Sequence, residues 1–353
     1  MRFLSFFPVC LAASLSLSSP LVPIARPPDT TGQPLLDLES IRQLIESSLE
    51  PVVWKWQFPA LLDSGNKIDA GAWLTDYLQL SSKKGPVGQQ NLDFIKAPNS
   101  PPTTSLSVAY PKGSFNIASA SESSGKEGGV PLGGTSFYCP IQGPGNKQSP
   151  LWKRSLLLSY RVTFSHDFDF VKGGKLPGLY SGLLQSDGKI FKGCQGGSRE
   201  EAGSKCWSVR IMWRAGGAGE VYAYIPTTGD SSYQLCGQQG VQCSKGNYGA
   251  SIGRGNFAFT AGSPMTLSLL VVLNSREDRA DGRISLFADK KLVIDKPGLL
   301  LRTAGLQDDT PWVDNIFFST FFGGSKVDFA SSKDVKASFD SVELRSGNVY
   351  VST

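Results

Sequence analysis

Short apolar segments follow one another from Leu156 onwards, and this pattern limits the possible folds more than any other feature. Glycine, proline and asparagine separate the segments, and the 39 glycines and 22 prolines favour many turns over long helices. Segments of this length, rich in β-branched and aromatic residues, are typical of strands. The candidate strands are Leu156–Phe164, Trp207–Arg214, Glu220–Ile225, Asn256–Thr260, Thr266–Leu273, Arg283–Phe287, Leu292–Asp295, Ile316–Phe321 and Ala337–Leu344. Together they predict an all-β fold of two packed sheets, a jelly roll or β-sandwich.

The preceding part of the chain does not share this pattern. Apolar residues recur at helical spacing between positions 37 and 49, and a second short helix is predicted around Ala70–Leu80. Residues 119–150 are rich in glycine and predict a long loop. Four aromatic residues also lie in this part of the chain, and they favour packing against the main domain over a sugar-stacking platform. They are Trp54, Trp56, Trp73 and Tyr77.

The N-terminus has the pattern of a secretory signal peptide. Arg2 precedes an apolar run from Phe3 to Leu17 that is too short to span a membrane, and small residues follow. We assign residues 1–25 to the signal peptide, 26–104 to a partly helical N-terminal extension and 105–353 to the β domain. We expect a secreted, extracellular protein with no membrane association.

Histidine content and charge exclude several kinds of site. One histidine, His166, rules out a zinc site built from several histidines, and we expect neither a metal ion nor an organic cofactor. Lysine and arginine number 35 against 30 acidic residues, a formal net charge of +5. This excess is too small and too dispersed to indicate nucleic-acid binding, but it suits a polyanionic substrate. We further expect a monomer.

The cysteines agree with export. Cys10 would leave with the signal peptide, and no Cys-x-x-Cys spacing supports a zinc site among the remaining five. We predict that cysteines near each other in sequence form disulfides, which are stable in an oxidising compartment. The predicted pairs are Cys194 with Cys206 and Cys236 with Cys243, which leaves Cys139 without an assigned partner.

The strongest local signal is a β-hairpin around the loop Ala215–Gly219. Alternation places Ser208 and Arg210 on one face of the first strand, and Tyr222 and Tyr224 on one face of the second. A register that keeps the apolar faces together sets Arg210 opposite Tyr222 or Tyr224, across a turn of three or five residues with glycines at positive φ. An ordinary solvated face is the alternative interpretation.

A second candidate lies upstream, where residues 167–180 resemble the end of a short strand followed by a loop. Three glycines and Pro177 would rigidify this loop and hold Lys175 in one place. A solvated loop lysine is the alternative.

Several motifs, in order, resemble polysaccharide lyase family 14. They are Phe170-Val-Lys-Gly-Gly-Lys-Leu-Pro-Gly-Leu, Cys194-Gln-Gly-Gly, Ser208-Val-Arg-Ile-Met-Trp-Arg, Gly219-Glu-Val-Tyr-Ala-Tyr-Ile-Pro and, as in secreted fungal members, Tyr248-Gly-Ala-Ser-Ile-Gly-Arg-Gly-Asn-Phe. The resemblance covers roughly residues 150–345, and nothing carries over to residues 26–150. It implies a β-jelly roll with an open cleft and a lyase acting on alginate or glucuronan.

The resemblance also implies site residues. The family's cleft lysine matches Lys175, its serine and arginine match Ser208 and Arg210, and its paired tyrosines match Tyr222 and Tyr224. In β-elimination from a 1,4-linked uronate, Arg210 would neutralise the carboxylate so that the C5 proton can be removed. Ser208 and Tyr222 would position the sugar, and Tyr224 would donate a proton to the leaving oxygen.

The base stays open between Lys175 and one of the two tyrosines. Each has an ordinary pKa near 10 and needs burial or neighbouring cations to act at neutral pH. Lys175 and Arg210 close together would lower each other's pKa and that of a nearby phenol. A non-catalytic carbohydrate-binding jelly roll is the main alternative function, and a structural cell-wall or surface protein is a weaker one.

Overall fold

The structure, a computed structural model, describes most of the chain from residue 54 onwards. The described residues are 23–24, 54–61, 68–80, 85–97, 104–118, 129–141, 154–197, 199–229, 233–244, 246, 248–306, 312–347 and 350–351. The predicted signal peptide, apart from residues 23–24, and the predicted helix between positions 37 and 49 lie outside them.

The described chain is built mainly from β-strands. In chain order they are β1 (Pro23–Ile24), β2 (Trp54–Lys55), β3 (Leu92–Lys96), β4 (Thr104–Tyr110), β5 (Thr135–Pro140), β6 (Ser155–Phe164), β7 (Gly173–Leu183), β8 (Cys206–Arg214), β9 (Gly219–Tyr224), β10 (Val241–Cys243), β11 (Ala250–Ile252), β12 (Pro264–Val272), β13 (Gly282–Ala288), β14 (Lys291–Leu299), β15 (Trp312–Phe322), β16 (Val335–Gly347) and β17 (Tyr350–Val351). Helix α1 spans Ala70–Tyr77, and short 3₁₀ helices span Gln89–Asn91, Gly193–Gln195, Ala215–Gly217 and Val327–Phe329.

Two antiparallel sheets form a sandwich, which confirms the predicted fold class. The seven-stranded sheet has the order β10-β11-β9-β8-β7-β15-β5. The eight-stranded sheet has the order β14-β13-β12-β6-β16-β4-β3, and β2 pairs with β16. Strands β1 and β17 form a separate parallel pair. Within the described ranges, no helix is long and apolar enough to cross a membrane.

The core fills the space between the two sheets. Leu158 and Phe339 of the eight-stranded sheet and Trp213 and Phe318 of the seven-stranded sheet are almost fully buried in one apolar cluster. Rings meet across it, as between Phe318 and Phe339, whose centroids are 5.1 Å apart. Large buried aromatic side chains of this kind contribute strongly to the hydrophobic stabilisation of a core.

Part of the predicted extension packs onto this sandwich. Helix α1 forms where a second helix is predicted, and Asp69 caps it by accepting a hydrogen bond from the backbone N–H of Ala72 at 2.9 Å. The Trp73 ring stacks on Tyr77 and meets Phe94 of β3 edge-on. The aromatic residues of this region therefore pack, as predicted, and β3 places part of the extension inside the eight-stranded sheet.

Three details differ from the predictions. Gly173–Leu183 is not a loop but the long strand β7, paired with β8 and β15. Residues 256–260 form no strand; they run beside the hairpin turn through isolated bonds, such as Phe259 N–H to the Gly217 carbonyl at 2.8 Å. The predicted loop 119–150 contains strand β5.

Candidate active site

The hairpin β8–β9 has one of the two predicted registers. Arg210 lies opposite Tyr222 and Ser208 opposite Tyr224. The 3₁₀ turn Ala215–Gly217 joins the strands, and two of its three residues are glycines at positive φ, as predicted. The apolar side chains of both strands face the core, so these polar side chains share the outer face of the seven-stranded sheet.

Strand β7 brings Lys175 to the same face. Lys175 lies opposite Met212, and Gly178 lies opposite Arg210. The register shifts between Leu176 and Gly178, so Pro177, which has no N–H to donate, falls at a bulge. A Cβ at Gly178 would lie 2.6 Å from the Arg210 Cα, so only glycine lets the strand pass so close.

Among the described residues, the Lys175 amine has no carboxylate as its immediate partner. Its Nζ lies 2.6 Å from the Met212 sulfur and 3.7 Å from the centroid of the Tyr222 ring. Burial holds the pKa of Lys175 well below its ordinary value, and the charges of Arg210 and Arg214 lower it further, against a smaller opposing effect of Glu220. The neutral amine, which can accept a proton, is therefore favoured.

Arg210 is buried with unused hydrogen-bonding capacity. It is 1% exposed, and its Cζ lies 4.5 Å from the centroid of the Phe317 ring. Nη2 donates to the Gln195 carbonyl at 2.6 Å, whereas Nε and Nη1 have no partner among the described residues. A buried guanidinium with two such nitrogens is costly unless an anion completes it, so the site is suited to a carboxylate.

The two predicted tyrosines lie side by side. The rings of Tyr222 and Tyr224 meet edge-on with centroids 5.6 Å apart. Burial raises the pKa of Tyr222 above its ordinary value, more than the charge of Arg214 lowers it. The nearby Arg214 charge acts in the direction expected of a cation, but desolvation of the phenolate dominates.

A disulfide-closed loop covers Ser208 and Arg210. Both predicted disulfides are present, Cys194–Cys206 and Cys236–Cys243, and Cys139 is buried outside them. Ser208 is fully buried, and its Oγ donates to the Cys194 carbonyl at 2.5 Å. The first disulfide therefore fixes the backbone that hydrogen-bonds both Ser208 and Arg210.

Tyr138 is a further residue on this face, and the sequence analysis did not name it. Tyr138 stacks on Phe317 at 4.4 Å between ring centroids and donates to the Gln195 side chain at 2.9 Å. Glu220 is fully buried between Arg214 and Arg254. The alternation of β8 and β9 puts Arg214 and Glu220 on the same face as Arg210 and Tyr222, but the pairing of Glu220 with the distant Arg254 left no sequence signal.

These features define a class of protein. A two-sheet antiparallel sandwich with a cationic and aromatic face, centred on a buried arginine whose Nε and Nη1 have no partner among the described residues, is the architecture expected of a jelly roll that handles acidic carbohydrate. The family model for polysaccharide lyase 14 matches residues 98–342. The chain therefore belongs to that family and is a polysaccharide lyase. The match begins earlier than the predicted limit near residue 150, so part of the region to which nothing was carried over belongs to it.

Solved structures agree with this assignment. The crystal structure of the marine polysaccharide lyase 14 alginate lyase from Aplysia kurodai matches with 27% identity and a TM-score of 0.63, over 84% of this chain and all of that one (100%). Alginate lyase Aly36B matches at 17% identity and TM-score 0.52, over 82% and 96% of the two chains. Alginate lyase vAL-1 from Chlorella virus matches at 17% and 0.50, over 73% and 94%. The last two support the fold alone. No match was found among curated proteins.

Proposed function

We propose that this chain is a secreted enzyme that cleaves 1,4-linked uronic-acid polymers, alginate or glucuronan, by β-elimination to give unsaturated uronates. Its family and its similarity to the Aplysia alginate lyase support an acidic polysaccharide as substrate. The observation that carries the proposal is the buried Arg210, two of whose nitrogens have no partner in the described part of the chain, next to the Lys175 amine with its lowered pKa. The Arg210 guanidinium can bind a carboxylate, and the Lys175 amine can accept a proton.

The proposed reaction follows from these roles. Arg210 binds the uronate carboxylate and stabilises the negative charge that develops when C5 loses its proton. Neutral Lys175 takes that proton, the C5–H electrons form the C4–C5 double bond, and the C4–O4 bond breaks. Tyr224 donates a proton to the leaving O4 oxygen. Tyr222, which lies under the Lys175 amine, and Ser208, through the Cys194 carbonyl, position the reacting groups.

Lys175 is the preferred base over Tyr222. The raised pKa of Tyr222 argues against a phenolate at neutral pH, whereas the lowered pKa of Lys175 favours the free amine. No cofactor takes part in the proposed steps.

The proposed secretion rests on two features. The N-terminal sequence has the pattern of a signal peptide, and two disulfides occur in the described chain. Disulfides persist in oxidising compartments. We propose that the enzyme acts outside the cell as a monomer.

A panel of polyuronates tests the activity. Polymannuronate, polyguluronate and glucuronan are incubated with the enzyme, and the C4–C5 double bond is followed by its ultraviolet absorbance. We expect absorbance to rise with at least one polymer. Binding of a polymer without any new absorbance would refute the lyase and leave a carbohydrate-binding protein.

Two substitutions test the residue roles. Lys175→Ala and Tyr224→Phe should each lower kcat at least about a hundredfold, the usual contribution of a positioned acid or base, with the fold retained. Lys172→Ala and Tyr248→Phe are matched controls, because Lys172 is an exposed residue paired with Asp328 and Tyr248 is 47% exposed. Wild-type turnover in either test variant would refute the role given to that residue.

A further inference from the structure

A second cationic group lies on the same face as the proposed active site. Glu220 is 0% exposed, and its carboxylate is shared by two arginines. Oε1 accepts from Arg214 Nε at 2.9 Å and from Arg214 Nη2 at 2.5 Å. Oε2 accepts from Arg254 Nε at 2.6 Å and from Ser251 Oγ at 2.7 Å. We call these four residues the Glu220 clamp.

The clamp carries a net positive charge. Burial opposes ionisation of Glu220, but the hydrogen bonds and charges of Arg214, Ser251 and Arg254 outweigh it and hold its pKa below the ordinary value. Two guanidiniums therefore share one carboxylate, and one positive charge is left over. Burying such a group costs desolvation free energy, and apolar packing stabilises a fold at least as well. Its surplus positive charge on the outer face is suited to a second anion.

Arg254 is the member that can reach a ligand. Its side chain is 38% exposed, against 19% for Arg214. The Arg254 Nε–H group donates to both Glu220 and Ser251. In the part of the chain that the structure describes, the two terminal nitrogens of Arg254 have no partner. The carboxylate thus holds the guanidinium in place and leaves its outer edge for a second anion.

The clamp adjoins the reacting groups. Arg214 Cζ lies 5.7 Å from the centroid of the Tyr222 ring, the same ring that the Lys175 amine covers. In the sheet, Met212 pairs with Lys175 on one side and with Glu220 on the other. A chain of linked uronates with one sugar at Arg210 and Lys175 would therefore extend over the clamp.

We propose that Arg254, fixed by Glu220 and supported by the charge of Arg214, binds the carboxylate of a uronate next to the one that reacts. This inference rests on the proposed function and makes the clamp a second carboxylate subsite. The enzyme would then prefer contiguous polyuronates over polymers in which neutral sugars alternate with uronates.

Substitution Arg254→Gln tests the subsite in steady-state kinetics on alginate and glucuronan. A charge-assisted hydrogen bond to a sugar that does not react contributes equally to substrate and transition-state binding. We therefore expect KM to rise about tenfold while kcat changes less than about twofold. Arg254→Lys keeps the charge but loses the planar set of guanidinium N–H donors, so its KM should lie between those of the wild type and Arg254→Gln.

The matched control is Arg283→Gln. Arg283 also pairs with a carboxylate, Asp295, but it lies on β13 of the other sheet, with its neighbours Ile284 and Leu286 pointing into the core. The control removes the same charge and should leave KM unchanged. The dependence of KM on salt concentration is a further readout, because loss of a ligand-binding charge weakens it and a merely structural change does not.

Two outcomes would overturn the subsite: an unchanged KM in Arg254→Gln, or the same rise in KM in Arg283→Gln. Failure of the proposed function is separate, since it would appear as absence of turnover by the wild-type enzyme. In that case, the subsite is tested by binding alone: the affinities of Lys175→Ala and of Lys175→Ala/Arg254→Gln for alginate tetrasaccharide are compared by calorimetric titration. Equal affinity of the two, or binding by neither, would refute the subsite.

Discussion

The protonation state of the key amine is set by its surroundings rather than by its residue type. Lys175 lies among apolar and aromatic groups, and the charged groups facing it are Arg210 and Arg214 on β8 and Glu220 on β9, beside the phenol of Tyr222. Cations outnumber the carboxylate, so the charged amine is doubly disfavoured. The environment that makes Lys175 a base therefore also destabilises the folded state when the amine is charged.

Lys175→Met should stabilise the protein and abolish turnover. The pKa of Lys175 is lower in the folded than in the unfolded chain, so the unfolded state binds more protons between these two values and stability rises with pH through that window. The substitution removes this cost, and we therefore expect the free energy of unfolding to rise at low pH. The gain should vanish above the ordinary lysine pKa of about 10.4.

Urea denaturation at several pH values measures this effect. Lys172→Met, at an exposed position, serves as control and should show no such dependence on pH. A Lys175→Met protein that is less stable than wild type at low pH would show that the amine is not under electrostatic strain.

Single elements differ in how far the sequence predicts them. The hairpin β8–β9 could be predicted with its faces, its two possible registers and its glycine turn, because alternation and turn chemistry are local. Strand β7 could not, because its glycines and Pro177 are typical of a loop. Glycine is needed there for close approach: a Cβ at Gly174 would lie 2.0 Å from the Trp213 ring.

Strand β16 shows the same limit. Simple alternation predicts Phe339, Ser341 and Glu343 on one face, but the register shifts between Asp340 and Glu343, and Ser341 has a φ of 54°. Phe339 and Val342 are consequently both buried in the core. A bulge depends on the neighbouring strands and leaves no trace in the periodicity of one strand.

In the candidate site, too, residues within one motif could be predicted, whereas contacts between distant segments could not. Lys175, Arg210, Tyr222 and Tyr224 could be named from motifs, because each motif lies within one strand. The contacts within the Glu220 clamp could not be predicted, because Arg254 follows Glu220 by 34 residues and reaches it only through the fold. The hydrogen bond from Arg210 to the Gln195 carbonyl could not be predicted either, because the position of that carbonyl depends on the disulfide-closed loop.

Gly178→Ala tests the role of the β7 bulge. The new Cβ would lie 2.1 Å from the Val209 carbonyl oxygen and 2.6 Å from the Arg210 Cα, both of them backbone atoms that cannot turn away. Overpacking of this kind costs about 1–3 kcal/mol and should displace Arg210. We expect lower stability in denaturant and a loss of kcat/KM larger than the loss of folded protein.

Gly196→Ala is the control for this change, because a Cβ there meets nothing within 4 Å. Normal kcat/KM in Gly178→Ala would mean that the bulge does not position Arg210.

At the scale of the whole molecule, the seven-stranded sheet is covered on both faces. Its inner face joins the common core, and its outer face carries a second apolar cluster that includes Tyr180, Tyr222, Tyr224 and Phe317. The reacting groups are therefore held between a packed sheet and a disulfide-closed loop. Rigid support on both sides is what a preorganised electrostatic site requires.

The N-terminal extension takes part in this packing through Trp56, although its boundary at residue 104 remains a prediction. The Trp56 ring is 4% exposed and stacks on Phe318 of the seven-stranded sheet with centroids 5.4 Å apart. Its backbone N–H donates to the Val342 carbonyl of β16 in the other sheet at 2.9 Å. One residue of the extension thus bonds to one sheet and packs against the other.

Trp56→Ala should therefore destabilise the entire sandwich. Removal of a large buried ring costs about 3–5 kcal/mol, and the loss should appear in a single cooperative unfolding transition followed by circular dichroism. Trp54→Ala is the matched control, since Trp54 is only half-buried and meets Trp56 edge-on, and it should cost clearly less. If Trp56→Ala instead gave two transitions with the main one unshifted, the extension would be an independent unit. A single shifted transition would mean that the extension folds as part of the lyase domain, and that the domain cannot be cut at residue 104 without losing a piece of its core.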